Sequence, residues 1–244
     1  MISTGQAEKY ARSWEQGTYG AEDESPLQET TPLLESFITH LQRYRQSMSK
    51  VPLVLEGGAG SGDHAIRLVQ NGFLVIANEY SEVATARILQ RGNARLPKCT
   101  KTRLQVAQGD IVRYLREQES RSLMGFYANS VLHTFSQEER SALYTAVHRV
   151  QPQGGLVAVS FKAEGDSVQY KGEFREETEA GKIVEDLIGI NRLFVRNPEP
   201  LIEELTKAGY KHLETFAWNV VKYIAVNTYD LGERKFIGFL AQKE

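Results

Sequence analysis

Between a short apolar run, Pro52-Leu53-Val54-Leu55, and a helix-forming stretch from Asp63 to Gln70 lies the segment Glu56-Gly57-Gly58-Ala59-Gly60-Ser61-Gly62-Asp63. Glycine lets a backbone turn sharply and lets a ligand lie close against main-chain atoms, and the amides opening the next helix add donors. Four glycines within residues 57–62 forfeit chain entropy for no packing gain, so the segment reads as a binding loop for an adenosine-containing ligand. Two spacings compete. Gly60-x-Gly62-x-x-Ala65 meets the loose dinucleotide fingerprint, with Glu79 at the end of the next apolar run as the acid for the ribose. Glu56-x-Gly58-x-Gly60-x-Gly62 accounts for more residues, because it also uses Glu56 and Gly58.

This second spacing resembles motif I of the class I S-adenosylmethionine-dependent methyltransferases, an acid at a strand end followed by alternating glycines. The resemblance runs from about Leu33 to the C-terminus. It implies S-adenosylmethionine as cofactor and S-adenosylhomocysteine as its product. Glu56, Gly57, Gly58, Gly60, Gly62 and Tyr80 would bind the cofactor, Glu56 toward its methionine end, and Glu79 would take the ribose hydroxyls. Asp110 and Ile111, in Gln108-Gly109-Asp110-Ile111, would flank the adenine, and Asn129 would follow strand four. Glu56 departs from the usual Asp of the motif and must reach the methionine end through a different rotamer. Among branches, the resemblance is nearest to small-molecule methyltransferases of the tellurite-resistance type. The family's Asn/Asp-Pro-Pro-aromatic turn for amino groups of bases or glutamine is absent at Ala128-Asn129-Ser130-Val131, and the Pro-Cys nucleophile of cytosine-carbon enzymes is absent at Lys98-Cys99.

Methyl transfer from a sulfonium is an in-line displacement, helped chiefly by holding nucleophile and methyl together in a dry pocket. His133, just past the fourth strand, is the candidate proton acceptor or hydrogen-bond partner for the substrate heteroatom; the plainer alternative is a buried histidine supporting its loop. Tyr10, Trp14 and Tyr19 make an aromatic N-terminal segment that could fold over the cofactor as a lid, or else a short packed helix or a frayed terminus. His40, His64, His133, His148 and His212 are scattered without metal-ligand spacing, so no metal site is expected. A non-catalytic binding protein that keeps the adenosyl pocket and a nicotinamide oxidoreductase are the competing readings.

The elements that must position these residues alternate. Thr31-Pro32 caps a helix whose Leu33, Leu34, Phe37, Ile38 and Leu41 recur at helical spacing. Strands follow at about 52–55, 73–77, 103–107, 123–128 and 156–161, with helices between them at 63–70, from Ser81, at 111–118, and from the Ser136/Glu139 capping box to Val150. Residues 163–197 mix charges of both signs, with one helix expected around Ile183 to Ile188, and read as a surface insertion near the substrate site. Lys162, Lys171, Arg175, Arg192 and Arg196 would there face an anionic substrate or, as the better reading given the interleaved acids, a solvated mixed-charge surface. A helix from Asn197-Pro198 to Gly209 and two strands, 210–226 and 234–241, joined by Asn227-Thr-Tyr-Asp-Leu-Gly232, close the chain as an antiparallel hairpin. The expected fold is α/β: a single domain over 1–244 with a doubly wound, mostly parallel seven-stranded sheet, a lid at 1–30 and the insertion at 163–197.

Composition sets the outer limits. The 244 residues carry 29 Lys and Arg against 31 Asp and Glu, a net charge of −2, with 41% hydrophobic and 25% charged residues. That is the balance of a globular domain with a well-buried core, and it argues against a chain that grips nucleic-acid backbone. The longest apolar runs, such as 73–77, fall far short of the roughly 18 to 20 residues of a membrane helix, and no secretory leader is visible. Cys99 is the single cysteine, which excludes an internal disulfide and points to a reducing, cytoplasmic setting. The expected partner is a small-molecule substrate, with no membrane and no nucleic acid; oligomeric state is not encoded in any motif.

Overall fold

The computed structural model describes residues 4–16, 30–47, 50–120, 122–222 and 232–244. The Asn227–Gly232 link and Tyr19 fall outside these, save for Gly232 itself. The chain begins with α1 (Thr4–Glu15) and α2 (Pro32–Ser47), then alternates β1 (Leu53–Gly57), α3 (Asp63–Gln70), β2 (Leu74–Glu79), α4 (Glu82–Arg95), β3 (Leu104–Gln108), α5 (Ile111–Arg116), β4 (Gly125–Ala128), α6 (Gln137–Val150) and β5 (Leu156–Ala163). After β6 (Glu173–Glu177), β7 (Gly181–Glu185) and β8 (Asn191–Val195) come α7 (Glu199–Lys207), β9 (Tyr210–Lys222) and β10 (Gly232–Lys243).

The caps expected from the sequence form. The Thr31 hydroxyl accepts the Leu34 amide at 3.1 Å, the Ser81 hydroxyl the Ala84 amide at 3.3 Å, and Ser136 and Glu139 close a reciprocal capping box. Ser136→Ala should therefore lower stability by about 1 kcal/mol, read as a small fall in the urea midpoint at unchanged slope.

The main sheet has seven strands in the order β3-β2-β1-β4-β5-β10-β9, the first five parallel and β10 antiparallel to both its neighbours. Parallel strands bury both faces, and consecutive residues here fall into opposite cores. Leu55, Phe126, Val157 and Phe239 join the core under α5, α6 and α7, while Val54, Tyr127, Ala158 and Leu240 join the core under α2 and α3.

The insertion corrects the sequence reading in two respects. Residues 183–188 are not helical: β7 runs through Glu185 and ends in a turn where Asp186 Oδ1 accepts the amides of Ile188 and Ile190, at 3.0 and 2.9 Å, with Gly189 left-handed at φ 75°. An aspartate that satisfies the backbone locally, followed by glycine, stops a helix from forming. Residues 173–195 instead make an antiparallel meander, β6-β7-β8. Nor is the charge there all solvated. Arg175 and Arg196 are exposed and paired with acids, but Lys162 and Arg192 are buried. Strand β8 pairs with β5 at Lys162–Phe194 and Ala163–Val195. Since Lys162 also pairs with Phe236 of β10 on the other edge of β5, β8 must lie on the β4 side. The meander thus stands beyond the carboxyl end of β4.

Candidate active site

Parallel strands bring their carboxyl ends to one edge, where open α/β sheets hold ligands. There the β1–α3 loop, Glu79, Asp110 and Asn129 converge. Gly58, Gly60 and Gly62 are all left-handed, with φ of 65°, 55° and 80°, which explains glycine at alternate positions of the loop. Val131 packs on Gly58 so closely that a methyl group there would overlap its Cγ2, and Ile88 packs on Gly62 in the same manner. Gly60 is different. A methyl group on it would meet only the Trp14 ring, at 3.8 Å.

Two buried carboxylates hold the loop from below. Glu79 is 1% exposed; its Oε2 accepts the Gly60 amide at 2.8 Å, and its Oε1 accepts the amides of Tyr80 at 2.7 Å and Ser81 at 3.2 Å. Glu56 is 2% exposed, its Oε1 lies 3.7 Å from His64 Nδ1, and its Oε2 has no hydrogen-bond partner. Burial raises the pKa of both acids above the ordinary carboxyl range, offset for Glu56 by His64 and the Ala65 amide and for Glu79 by the three amides. Asp63, next along, is engaged by Arg91 of α4 and by the Ser61 hydroxyl.

The remaining candidates occupy the same edge. Asp110 caps α5 by accepting the Arg113 amide at 2.7 Å, Ile111 is buried against Gly57, and Tyr80 is half-buried. Asn129 Oδ1 accepts the Ser160 hydroxyl at 2.7 Å, and that hydroxyl accepts the Ser130 amide at 2.8 Å. Ser130, at φ 57°, is the non-glycine residue held left-handed among those described, a strain that surrounding contacts must sustain. Ser160 was missed from sequence because a serine inside an apolar strand carries no signal of its own.

The N-terminal aromatics lie on α1. Trp14 is 6% exposed, packs edge-on to Tyr10 with ring centroids 6.5 Å apart, and has the Arg87 guanidinium 5.5 Å over its ring. Helix α1 also touches the insertion: Lys9 Nζ donates to Gly189 O at 2.6 Å, and the Asn191 amide donates to Gln6 Oε1 at 3.1 Å.

His133 is 2% exposed, and its Nε2 lies 2.8 Å from Arg192 Nη1. A guanidinium only donates, so Nε2 accepts and the proton of the neutral ring sits on Nδ1. The lone pair that a proton acceptor needs is already directed at Arg192, which takes the base role away from His133 in this arrangement. Burial, then the charges of Arg192, Lys162 and Arg234, hold its pKa well below the ordinary histidine value. Among the described residues no group of three or more His, Cys, Asp or Glu side chains could hold a metal, and no helix is long and apolar enough to cross a membrane.

No family model matches the sequence, and no curated protein matches it either. Solved structures do. The chain is similar to the 1,6-didemethyltoxoflavin-N1-methyltransferase of Burkholderia thailandensis, solved with its substrate and S-adenosylhomocysteine, at 16% identity and a TM-score of 0.63 over 97% of this chain and 86% of that one. It is similar to an S-adenosylmethionine-dependent methyltransferase of Methanosarcina mazei at 15% identity and 0.61, over 88% and 99%. The glycopeptide N-methyltransferase MtfA, solved with S-adenosylmethionine, matches at 16% identity and 0.54, over 85% and 94%. The chain therefore has the class I S-adenosylmethionine-dependent methyltransferase fold.

Proposed function

We propose that this protein is an S-adenosylmethionine-dependent methyltransferase that transfers a methyl group to an oxygen, nitrogen or sulfur atom of a small molecule. The observation that carries this reading is Glu56: a buried carboxylate at the end of β1, directly under the glycine loop, with one oxygen unpartnered. A buried acceptor without a donor costs about 1 to 3 kcal/mol, and a cationic amino group, such as that of a methionine moiety, would relieve it. Glu79 fits the same ligand. A carboxylate has about four lone-pair sites, and three amides leave room for a ribose hydroxyl. The bound cofactor would supply an electrophilic sulfonium methyl. The chain's part is to hold the adenosyl group by Glu56, the loop, Glu79, Tyr80, Asp110, Ile111 and Asn129, and to keep water out with Trp14 and Tyr10 of α1.

The nicotinamide reading loses support from the second half of the sheet. Dinucleotide folds repeat a parallel βαβαβ unit, whereas β5 is followed in space by antiparallel β10. Two of the similar proteins named above are N-methyltransferases of 1,6-didemethyltoxoflavin and of a glycopeptide, in keeping with this proposal. S-adenosylhomocysteine at about a hundredfold excess over its Kd should stabilise the protein by about 2.7 kcal/mol, visible as a rise in Tm. A shift with NAD and none with the adenosyl compounds would overturn the assignment.

A further inference from the structure

The insertion reaches the sheet edge through a chain of three buried side chains. Asp186, at the β7–β8 turn, is 5% exposed and fixed by the Ile188 and Ile190 amides on its Oδ1. Its Oδ2 receives Arg192 Nε, and Arg192 Nη1 continues to His133 Nε2 at 2.8 Å. Polarity is forced at every link, since a carboxylate accepts, a guanidinium only donates, and the imidazole nitrogen facing it must accept. The chain ends on Nδ1–H of His133, which is buried and has no hydrogen-bond partner. An orphaned buried donor in a native fold needs an explanation, and an acceptor atom of a bound ligand would supply one.

The surroundings define that acceptor. Arg192 from β8 and Arg234 from β10 bear on the ring as cations, joined by Lys162 from β5, whose pKa burial pushes down to about 7, so that it adds its charge below that pH. The nearby acids are turned to those cations: Asp186 to Arg192, and Asp166 to Lys162 at 3.1 Å and Arg234 at 3.5 Å. The ring thus presents a hydrogen-bond donor beside a cluster whose three basic groups outnumber its two carboxylates while Lys162 is protonated, where an anionic oxygen is favoured over a cationic group.

Resting on the methyltransferase reading, we propose that the methyl acceptor carries an anionic oxygen, received by Nδ1–H of His133, and that the insertion sets this preference through Asp186 and Arg192 as positioning residues. His133 is then a binding group for the acceptor and removes no proton. Burial first, then the charges of Arg192 and Arg234, with Lys162 where it is protonated, oppose any imidazolium and favour the neutral Nδ1–H form.

The test uses the full-length protein labelled with 15N-histidine and loaded with S-adenosylhomocysteine, with benzoate as anionic probe and benzamide as its neutral counterpart. Long-range proton–nitrogen spectra should show His133 protonated on Nδ1 alone from about pH 5.5 to 8.5. Benzoate should shift that proton and bind at least about tenfold more tightly than benzamide. His133→Asn places an amide donor where Nδ1 stood and should keep the preference. His133→Gln places its amide oxygen toward Arg192 with no donor at the Nδ1 position, and should lose the preference while staying folded. A purely structural histidine predicts the reverse order. An Nε2–H tautomer, equal or absent binding of the two probes, or benzoate preference surviving in His133→Gln would overturn the proposal. Failure of the methyltransferase reading shows separately, as no binding of S-adenosylhomocysteine, and the tautomer and probe titrations are still read on the protein without it.

Discussion

Gly60→Val is expected to abolish binding of S-adenosylhomocysteine while the protein stays folded. The backbone at Gly60 is left-handed, at φ 55°, and a side chain there costs about 1 to 2 kcal/mol of conformational energy. Nothing solid opposes it, because the nearest atom to an added methyl is in the Trp14 ring at 3.8 Å. The volume it takes is the space between loop and α1, where the adenosyl group of the proposed ligand would meet the backbone. Calorimetric titration should show the affinity falling by at least about a hundredfold, with Tm lowered only by the strain. Gly58 supplies the contrast. A side chain at that position would drive into Val131 and, through it, the β4 turn, so Gly58→Ala should lose stability and binding together. Wild-type affinity in Gly60→Val would place the ligand elsewhere on the molecule.

The sequence carried the sheet and the loop because both are local patterns. Runs such as Leu53–Leu55 and Leu156–Phe161 are apolar on both faces, and α2, α4 and α6 each have a capping hydroxyl at the residue before their start. The acid at the end of β2 was legible too, as a type at a spacing. What it does was not: the Glu79–Gly60 bond joins residues 19 apart through a direction of the carboxylate that no pattern encodes. The insertion was the least legible part. Its charges have no periodicity that separates Arg175, on the exposed β6 edge, from Arg192, buried against His133 59 residues away. That distinction comes from β8 returning to pair with the end of β5, a long-range contact. The same contact changes the reading of His133. From position alone it is a candidate base, a hydrogen-bond partner or a supporting histidine, but with Arg192 on Nε2 the ring nitrogen left without a partner is Nδ1.

Glu79→Ala should cost both stability and cofactor affinity, and the two losses can be separated. The carboxylate accepts from Gly60 in the glycine loop and from Tyr80 and Ser81 at the start of α4, so it ties the two ligand-facing turns to one buried point. Bonds to a charged acceptor contribute about 1.5 to 3 kcal/mol each but are not additive, and water entering the space left by Ala will satisfy some of the amides. A net loss of about 3 kcal/mol follows, or about 6 to 12 °C in Tm for a domain of this size. The affinity for S-adenosylhomocysteine should fall by a further 1 to 3 kcal/mol, roughly, because the loop loses its fixed shape and the ribose its acceptor. Glu79→Gln distinguishes geometry from charge, since it keeps one acceptor oxygen at similar length. It should recover much of the stability and little of the affinity. It should also alter the pH profile. Burial holds Glu79 above its ordinary value of 4.5, so the unfolded chain ionises first; the stabilisation linked to this group is fully present below that value and is lost as pH rises through the folded-state pKa. Urea unfolding from pH 4 to 7 should therefore show a shallower decline in Glu79→Gln than in the wild type, the remaining slope including the share of Glu56, whose pKa is raised in the same direction. Equal slopes in the two proteins, with equal affinities, would show that Glu79 is neither the buried charge under the loop nor the ribose acid.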